Sequence, residues 1–181
     1  MHQIATGELV SLSEQQLVDC ANGQEWGSFD CEGGDMAGAM KYVEQYGLES
    51  EADYPYKGVD GSCNYDASKV VTKDAGPVGV TVNSKAALTA AIAQQPVSVA
   101  IEADKFVFQF YTQGVLNSPN CGVNLDHGVL AVGYGTENGV DYILVKNSWG
   151  SSWGENGYVK IASVDGEGIC GINEDPVYPQ A

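Results

Sequence analysis

The sequence predicts an α+β fold in two parts: a helical part over roughly residues 1–80 and a β-rich part over roughly 81–176, with 177–181 left as a C-terminal tail. Two observations carry that division. In the first part apolar residues recur at helical spacing behind N-cap residues. After Thr81 the chain turns to short apolar or alternating runs separated by glycine turns. The 181 residues, 44% of them hydrophobic, suffice for two small lobes with real cores. The β-rich runs suit an antiparallel sheet or a barrel, and a cleft between two such lobes is a usual place for an active site.

Taken in order, Ser13-Glu14-Gln15-Gln16 has the form of a capping box, Ser13 at N-cap and Gln16 at N3, and opens a short helix through Leu17 and Val18. A glycine-bearing loop, 21–34, follows. Met36, Ala39, Met40, Val43 and Tyr46 then repeat at helical spacing, and Gly47 stands where a left-handed C-cap belongs. The stretch 48–68, rich in Tyr, Pro, Asp and Gly, reads as an ordered irregular loop. Ser84 caps a further helix over 86–94, stopped by Pro96. The strand candidates after it are VSVAIEA, HGVLAVGYG, VDYILVKNSW and GYVKIAS.

Charge narrows the function. Eight Lys+Arg against 24 Asp+Glu give a net charge of −16, a field that repels phosphate backbones and anionic headgroups, so neither nucleic acid nor a membrane surface is an expected partner. No apolar run approaches the ~20 residues of a spanning helix, and residues 1–16 have no basic segment followed by an apolar one. The five cysteines, Cys20, Cys31, Cys63, Cys121 and Cys170, form no CxxC pair, so no metal site is expected and an oxidising compartment is the better reading. Only His2 and His127 can supply imidazole chemistry.

One constellation is specific. Cys121-Gly-Val-Asn-Leu-Asp126-His127-Gly128 precedes Val145-Lys-Asn147-Ser-Trp149-Gly-Ser-Ser-Trp153-Gly-Glu-Asn-Gly157-Tyr158, and upstream stand SEQQLVDC (13–20), CEGG (31–34) and ADYPY (52–56). In order and spacing these five segments resemble the papain-like cysteine peptidases, of the cathepsin L and papain type, over nearly the whole chain. The resemblance implies a two-lobe fold: a helical left lobe, incomplete here, and an antiparallel β-barrel-like right lobe, with the active-site cleft between them. It implies a thiolate that attacks the scissile carbonyl and a histidine, matched by His127, that protonates the leaving amine. Asn147 matches the side chain that orients the imidazole, Trp149 the indole that shields their hydrogen bond, and Asp126 a supporting neighbour. No cofactor is implied.

The same resemblance pairs Cys20 with Cys63 and Cys121 with Cys170. It leaves Cys31 alone, because its family partner lies in the CGSCW-like motif that also carries the nucleophile. That motif is absent from residues 1–181, and the family spacing sets the nucleophile about a dozen positions before Met1. The absent segment also carries the oxyanion-hole glutamine and the start of the central helix, so the chain by itself is expected to be inert and its helical lobe to expose an apolar inner face. A buried free thiol is the alternative reading of Cys31.

Specificity rests on fewer residues. Gly33 and Gly34 match the strand that pairs with an extended peptide, where a missing Cβ permits close approach, although a simple loop turn needs the same residues. Asp35, Met36, Gly128 and Asp175 match positions around the S2 pocket. Asp175, five residues after Cys170, stands at its floor, where a carboxylate can receive Arg or Lys; a solvated surface acid is the alternative. The 31–36 loop has no long insertion, which favours an endopeptidase. The expectation is therefore a cysteine endopeptidase, monomeric, acting on extended polypeptides, with a propeptide or protein inhibitor as a further partner, in a lysosomal, vacuolar or extracellular setting. A non-catalytic papain-like binding or structural protein is the rival.

Overall fold

A computed structural model describes residues 1–181 and divides the chain into two compact units, Met1–Val78 with Pro179–Ala181, and Gly79–Tyr178.

The first unit holds α1 (His2–Thr6), α2 (Glu14–Cys20), α3 (Met36–Tyr46), β1 (Leu48–Glu49) and β2 (Val70–Thr72), the two strands pairing antiparallel. Ser13 caps α2 by accepting from Gln16 N–H at 2.9 Å. The reciprocal half of the capping box does not form. Gln16 is fully buried and instead donates to Tyr42 Oη and the Gly47 carbonyl and accepts from Glu49 N–H, while Ser13 N–H goes to the Glu49 carbonyl. A buried amide with three partners elsewhere has no reason to turn back to its own helix. Gly47 has φ 83° with an extended ψ of 176°, so it turns the chain without the left-handed helical cap expected of it. A Cβ there would meet Val70 Cγ1 at 2.5 Å and the Thr72 carbonyl at 2.8 Å. The apolar core of this unit is small: Ala21, Trp26, Tyr42, Val43 and Leu48. Much of the remaining cohesion is polar. Gln15 donates to Asp19 and accepts from Lys57 and Gly58 N–H, Tyr54 Oη donates to Asp19 at 2.8 Å, and the Cys20–Cys63 disulfide crosses the same region.

Strand β3 (Pro77–Gly79) carries the chain into the second unit, which adds α4 (Lys85–Ile92), β4 (Val97–Ile101), α5 (Phe106–Gln109), β5 (Val115–Leu116), β6 (His127–Glu137), β7 (Val140–Lys146), β8 (Tyr158–Ala162) and β9 (Val177–Pro179). The sheet order is β3-β9-β4-β6-β7-β8-β5. This is an open sheet, not the barrel-like form expected: its outermost members β3 and β5 have three and two residues, and β5 runs parallel to β8. Strands that short cannot supply the stagger that closure requires. The residues expected as a C-terminal tail, 177–181, begin with β9. Val177 pairs with Ser98, and further along Ala75 N–H reaches the Gln180 carbonyl while Gln180 N–H reaches that of Gly76.

Alternation builds the core of this unit. Val97, Val99 and Ile101 of β4, Ile143 and Val145 of β7, and Val159 and Ile161 of β8 are almost wholly buried with Leu88 of α4 and Phe108 of α5. Each such side chain contributes on the order of 1.5–3 kcal/mol by leaving water. The helix expected over 86–94 ends at Ile92, because Gln94 N–H turns to the Ala91 carbonyl and tightens the last turn.

Candidate functional site

His127 opens β6 opposite Ile101 of β4, and Asn147 immediately follows β7, so two neighbouring strands bring the pair together although twenty residues separate them. The imidazole Nε2 lies 2.8 Å from Asn147 Oδ1. That oxygen also accepts from Ser148 N–H at 2.8 Å, a bond only the carbonyl end of the amide can make. The amide orientation is thereby fixed, Nε2 must carry a proton, and Nδ1 is the nitrogen left to exchange one. Asn147 is 7% exposed and its own N–H is bonded to the Gly157 carbonyl.

Trp149 stacks on the imidazole at 5.2 Å between centroids and an interplanar angle of 30°. Behind it stand Phe108 at 5.5 Å and Trp153 at 5.3 Å, both edge-on. Trp153 Nε1–H donates to the Gln109 carbonyl, which fastens this aromatic wall to α5.

The loop from Trp149 to Tyr158 needs its glycines. Gly154 has φ 56°, and a Cβ there would meet the Tyr158 carbonyl at 2.6 Å. Glu155 anchors the turn by accepting from Gly114 N–H and Tyr111 Oη–H and pairing with Lys160 Nζ at 3.0 Å, which holds its carboxyl below the ordinary range. Burial pushes the Tyr111 phenol up to about 12.

Ahead of His127, Asp126 Oδ1 accepts from Ala103 N–H at 2.7 Å and Asp126 N–H donates to the Ile101 carbonyl, so its carboxylate is spent on the strand end. Gly128 is exposed opposite Ala100. Asp175 is exposed. Gly33, Gly34, Asp35 and Met36 belong to the first unit. Gly33, at φ 110°, faces open space, whereas a Cβ on Gly34 would strike Ser28 Oγ, so the close approach that Gly34 permits is by its own chain. Asp35 caps α3 by accepting from Gly38 N–H, and Met36 is the first residue of that helix. Cys121 is joined to Cys170, as Cys20 is to Cys63. Cys31 is free and exposed, not buried. Asp60 accepts from its N–H at 2.9 Å and raises its thiol pKa, with Asp30 and Asp19 adding to the effect, so this sulfur is kept from its thiolate.

The sequence reading passed over Phe108, Glu155 and Glu102. Glu155 lies inside the WGENGY run and Glu102 inside the strand candidate VSVAIEA, whereas Phe108 lies in 104–114, which carries no motif. Glu102 carried one signal, an acid directly after an alternating apolar strand.

The model of the papain family of cysteine proteases matches residues 1–180. This chain belongs to the papain family of cysteine proteases. Among its relatives, Cysteine proteinase RD21A of Arabidopsis thaliana is 48% identical over 184 residues, covering 99% of this chain and 39% of that protein. Digestive cysteine proteinase 3 of Homarus americanus is 48% identical over 180 residues, covering 98% of this chain and 55% of that one. The chain thus spans between about two fifths and just over half the length of these curated relatives. Two solved structures are similar: the Carica candamarcensis cysteine protease CMS1MS2 in complex with E-64, at TM-score 0.88 and 43% identity over 99% of this chain and 81% of that one, and the bromelain protease of Ananas comosus in complex with the E64 inhibitor, at 0.91 and 40% over 98% and 81%. No helix of this papain-family chain is long and apolar enough to cross a membrane.

Proposed function

We propose that this protein hydrolyses peptide bonds within extended polypeptides as a cysteine endopeptidase, with His127 as its acid–base group and Asn147 as the group that holds the imidazole. The observation that carries this reading is the fixed amide of Asn147: it pins the proton on Nε2 and frees Nδ1 for transfer. A thiolate adds to the scissile carbonyl, the imidazolium gives its Nδ1 proton to the leaving amine, and the neutral ring then takes a proton from the water that releases the acyl group. Trp149 keeps bulk water from the Nε2–Oδ1 bond.

The thiolate comes from none of the five cysteines of residues 1–181. Four are disulfide-bonded and the fifth has its thiol pKa raised by Asp60. On this reading residues 1–181 by themselves do not hold the nucleophile, and a CGSCW-like segment of the kind the family carries supplies it. Gly33 lies open to an extended strand, and a propeptide or inhibitor of extended form is the matching partner. Two disulfides support a lysosomal, vacuolar or extracellular setting.

The test is to join a CGSCW-like segment in frame ahead of residue 1 and assay a fluorogenic peptide. Turnover should appear. His127→Ala should abolish it in a folded protein, and Asn147→Ala should lower kcat by roughly ten- to hundredfold, the worth of one lost hydrogen bond to a charged group. Full activity in His127→Ala overturns the assignment. No turnover from the joined protein favours the non-catalytic relative.

A further inference from the structure

The acid that directly follows β4, Glu102, is an unusual residue for its place. The side chain of Glu102 is 1% exposed, yet Glu102 sits among Ile101, Cys121 and Cys170. A buried carboxylate persists only where it is paired and hydrogen-bonded. One oxygen, Oε1, forms an ion pair with Lys105 Nζ at 2.6 Å. The other, Oε2, accepts from Asn124 N–H at 2.6 Å. Gly122 makes room for it: a Cβ there would collide with Oε2.

What these bonds hold is the segment that delivers His127. Cys121 is anchored by its bridge to Cys170, and Asp126 by two bonds to the end of β4, Ile101 being the cross-strand partner of His127. Between those anchors the Asn124 amide is gripped by Glu102. The backbone of Glu102 closes the arrangement, its N–H donating to the Cys170 carbonyl and its carbonyl receiving a 3.6 Å contact from the Cys121 sulfur. One residue thus touches both half-cystines and the middle of the loop, directly beside the strand position that sets the imidazole.

We propose that Glu102 is a positioning residue for His127, its buried carboxylate fixing the 122–126 segment so that Nε2 stays on Asn147 Oδ1. The role of His127 as proton carrier rests on the function proposed above; the positioning does not. What matters is the acceptor oxygen on Asn124, with Lys105 compensating the charge. Glutamine, which keeps an oxygen of that reach, should serve, and leucine, of similar volume, should not.

The experiment reads the imidazole itself, so it needs no turnover. In the full chain with 15N-labelled histidine, only His2 and His127 contribute ring signals. The parent should show a hydrogen-bonded Nε2 proton for His127. E102L should lose it and speed amide exchange at Asn124 by roughly ten- to hundredfold, with the fold retained by circular dichroism. E102Q should keep both signatures. Should E102L fail to fold, G122A takes its place, since its Cβ displaces the same oxygen, and the same loss is expected. An unchanged His127 signal in folded E102L or G122A overturns the proposal, as does loss of the signal in E102Q. A chain whose imidazole responds as described but which gives no turnover once a nucleophile is joined overturns the endopeptidase reading and leaves the positioning role standing.

Discussion

Asn147 illustrates how much one side chain can decide. Its oxygen receives two donors, and because Ser148 N–H can only meet a carbonyl, the tautomer of His127 follows from a neighbour on Asn147's own backbone. Asp175 is the opposite case, a residue whose importance depends on how dry its surroundings are. It is exposed, and an exposed carboxylate–guanidinium pair is worth about 0.2–1 kcal/mol, less than the ~1.5–3 kcal/mol of a desolvated one. In the nucleophile-joined protein, Asp175→Ala should lower kcat/KM for a peptide with Arg at P2 by no more than about fivefold and leave the Leu peptide unchanged. A paired assay of the two peptides measures it. A loss beyond about tenfold would mean that substrate buries the carboxylate; no change would mean that Asp175 is a surface charge only.

Among the elements, the 149–158 loop carries a pH signature of its own. Lys160 lowers the carboxyl of Glu155 in the folded state, so the contribution of this group is fully present above the unfolded carboxylate value of about 4.3 and is lost as pH falls through the lower folded value. The pair is partly exposed, its side chains 17% and 31% accessible, which moderates the effect. Denaturant unfolding from neutral pH downward should therefore show a loss of stability below about pH 4.3 that Glu155→Gln flattens, the variant being weaker at neutral pH because Lys160 loses a charged partner. Equal slopes in the two proteins would remove Glu155 from the account. Helix α4 makes a plainer point: Ser84 Oγ accepts from Ala87 N–H as a serine before an apolar run should, and the helix forms where the sequence puts it.

At the scale of the molecule the two units differ in what holds them. The second has a continuous apolar core of Val, Ile, Leu and Phe; the first has five core residues, a buried amide network and large exposed apolar groups such as Leu9, Val59 and Phe29. Each contains one disulfide, spanning 43 residues in the first and 49 in the second, and the chain-entropy model gives about 4 kcal/mol for loops of either length. With equal losses the unit with less apolar burial should fail first. Cys20→Ser/Cys63→Ser should release amide protection throughout the first unit, whereas Cys121→Ser/Cys170→Ser should lower the stability of the second without unfolding it. Hydrogen exchange read by mass spectrometry separates the two, and retained protection of the first unit without its bridge would show that its polar network suffices.

The α+β class, the helices behind Ser13 and Ser84, the strand runs and the family with its His127 and Asn147 motifs were legible in the sequence itself. Those features are local: a cap needs its next three residues, a strand its own alternation, a motif its own spacing. The open edge of the sheet, the diversion of Gln16 from its capping box, the engagement of Asp35 as a helix cap and the grip of Glu102 on Asn124 were not. Each depends on a partner brought near only by the folded chain, and nothing in the order of residues says that Gln16 will lie beside Tyr42, that Gly122 will leave room for a carboxylate, or that β3 and β5 will be too short to close a barrel. Sequence fixes which groups can make strong interactions; burial, which removes water as the competing partner, decides which of them do.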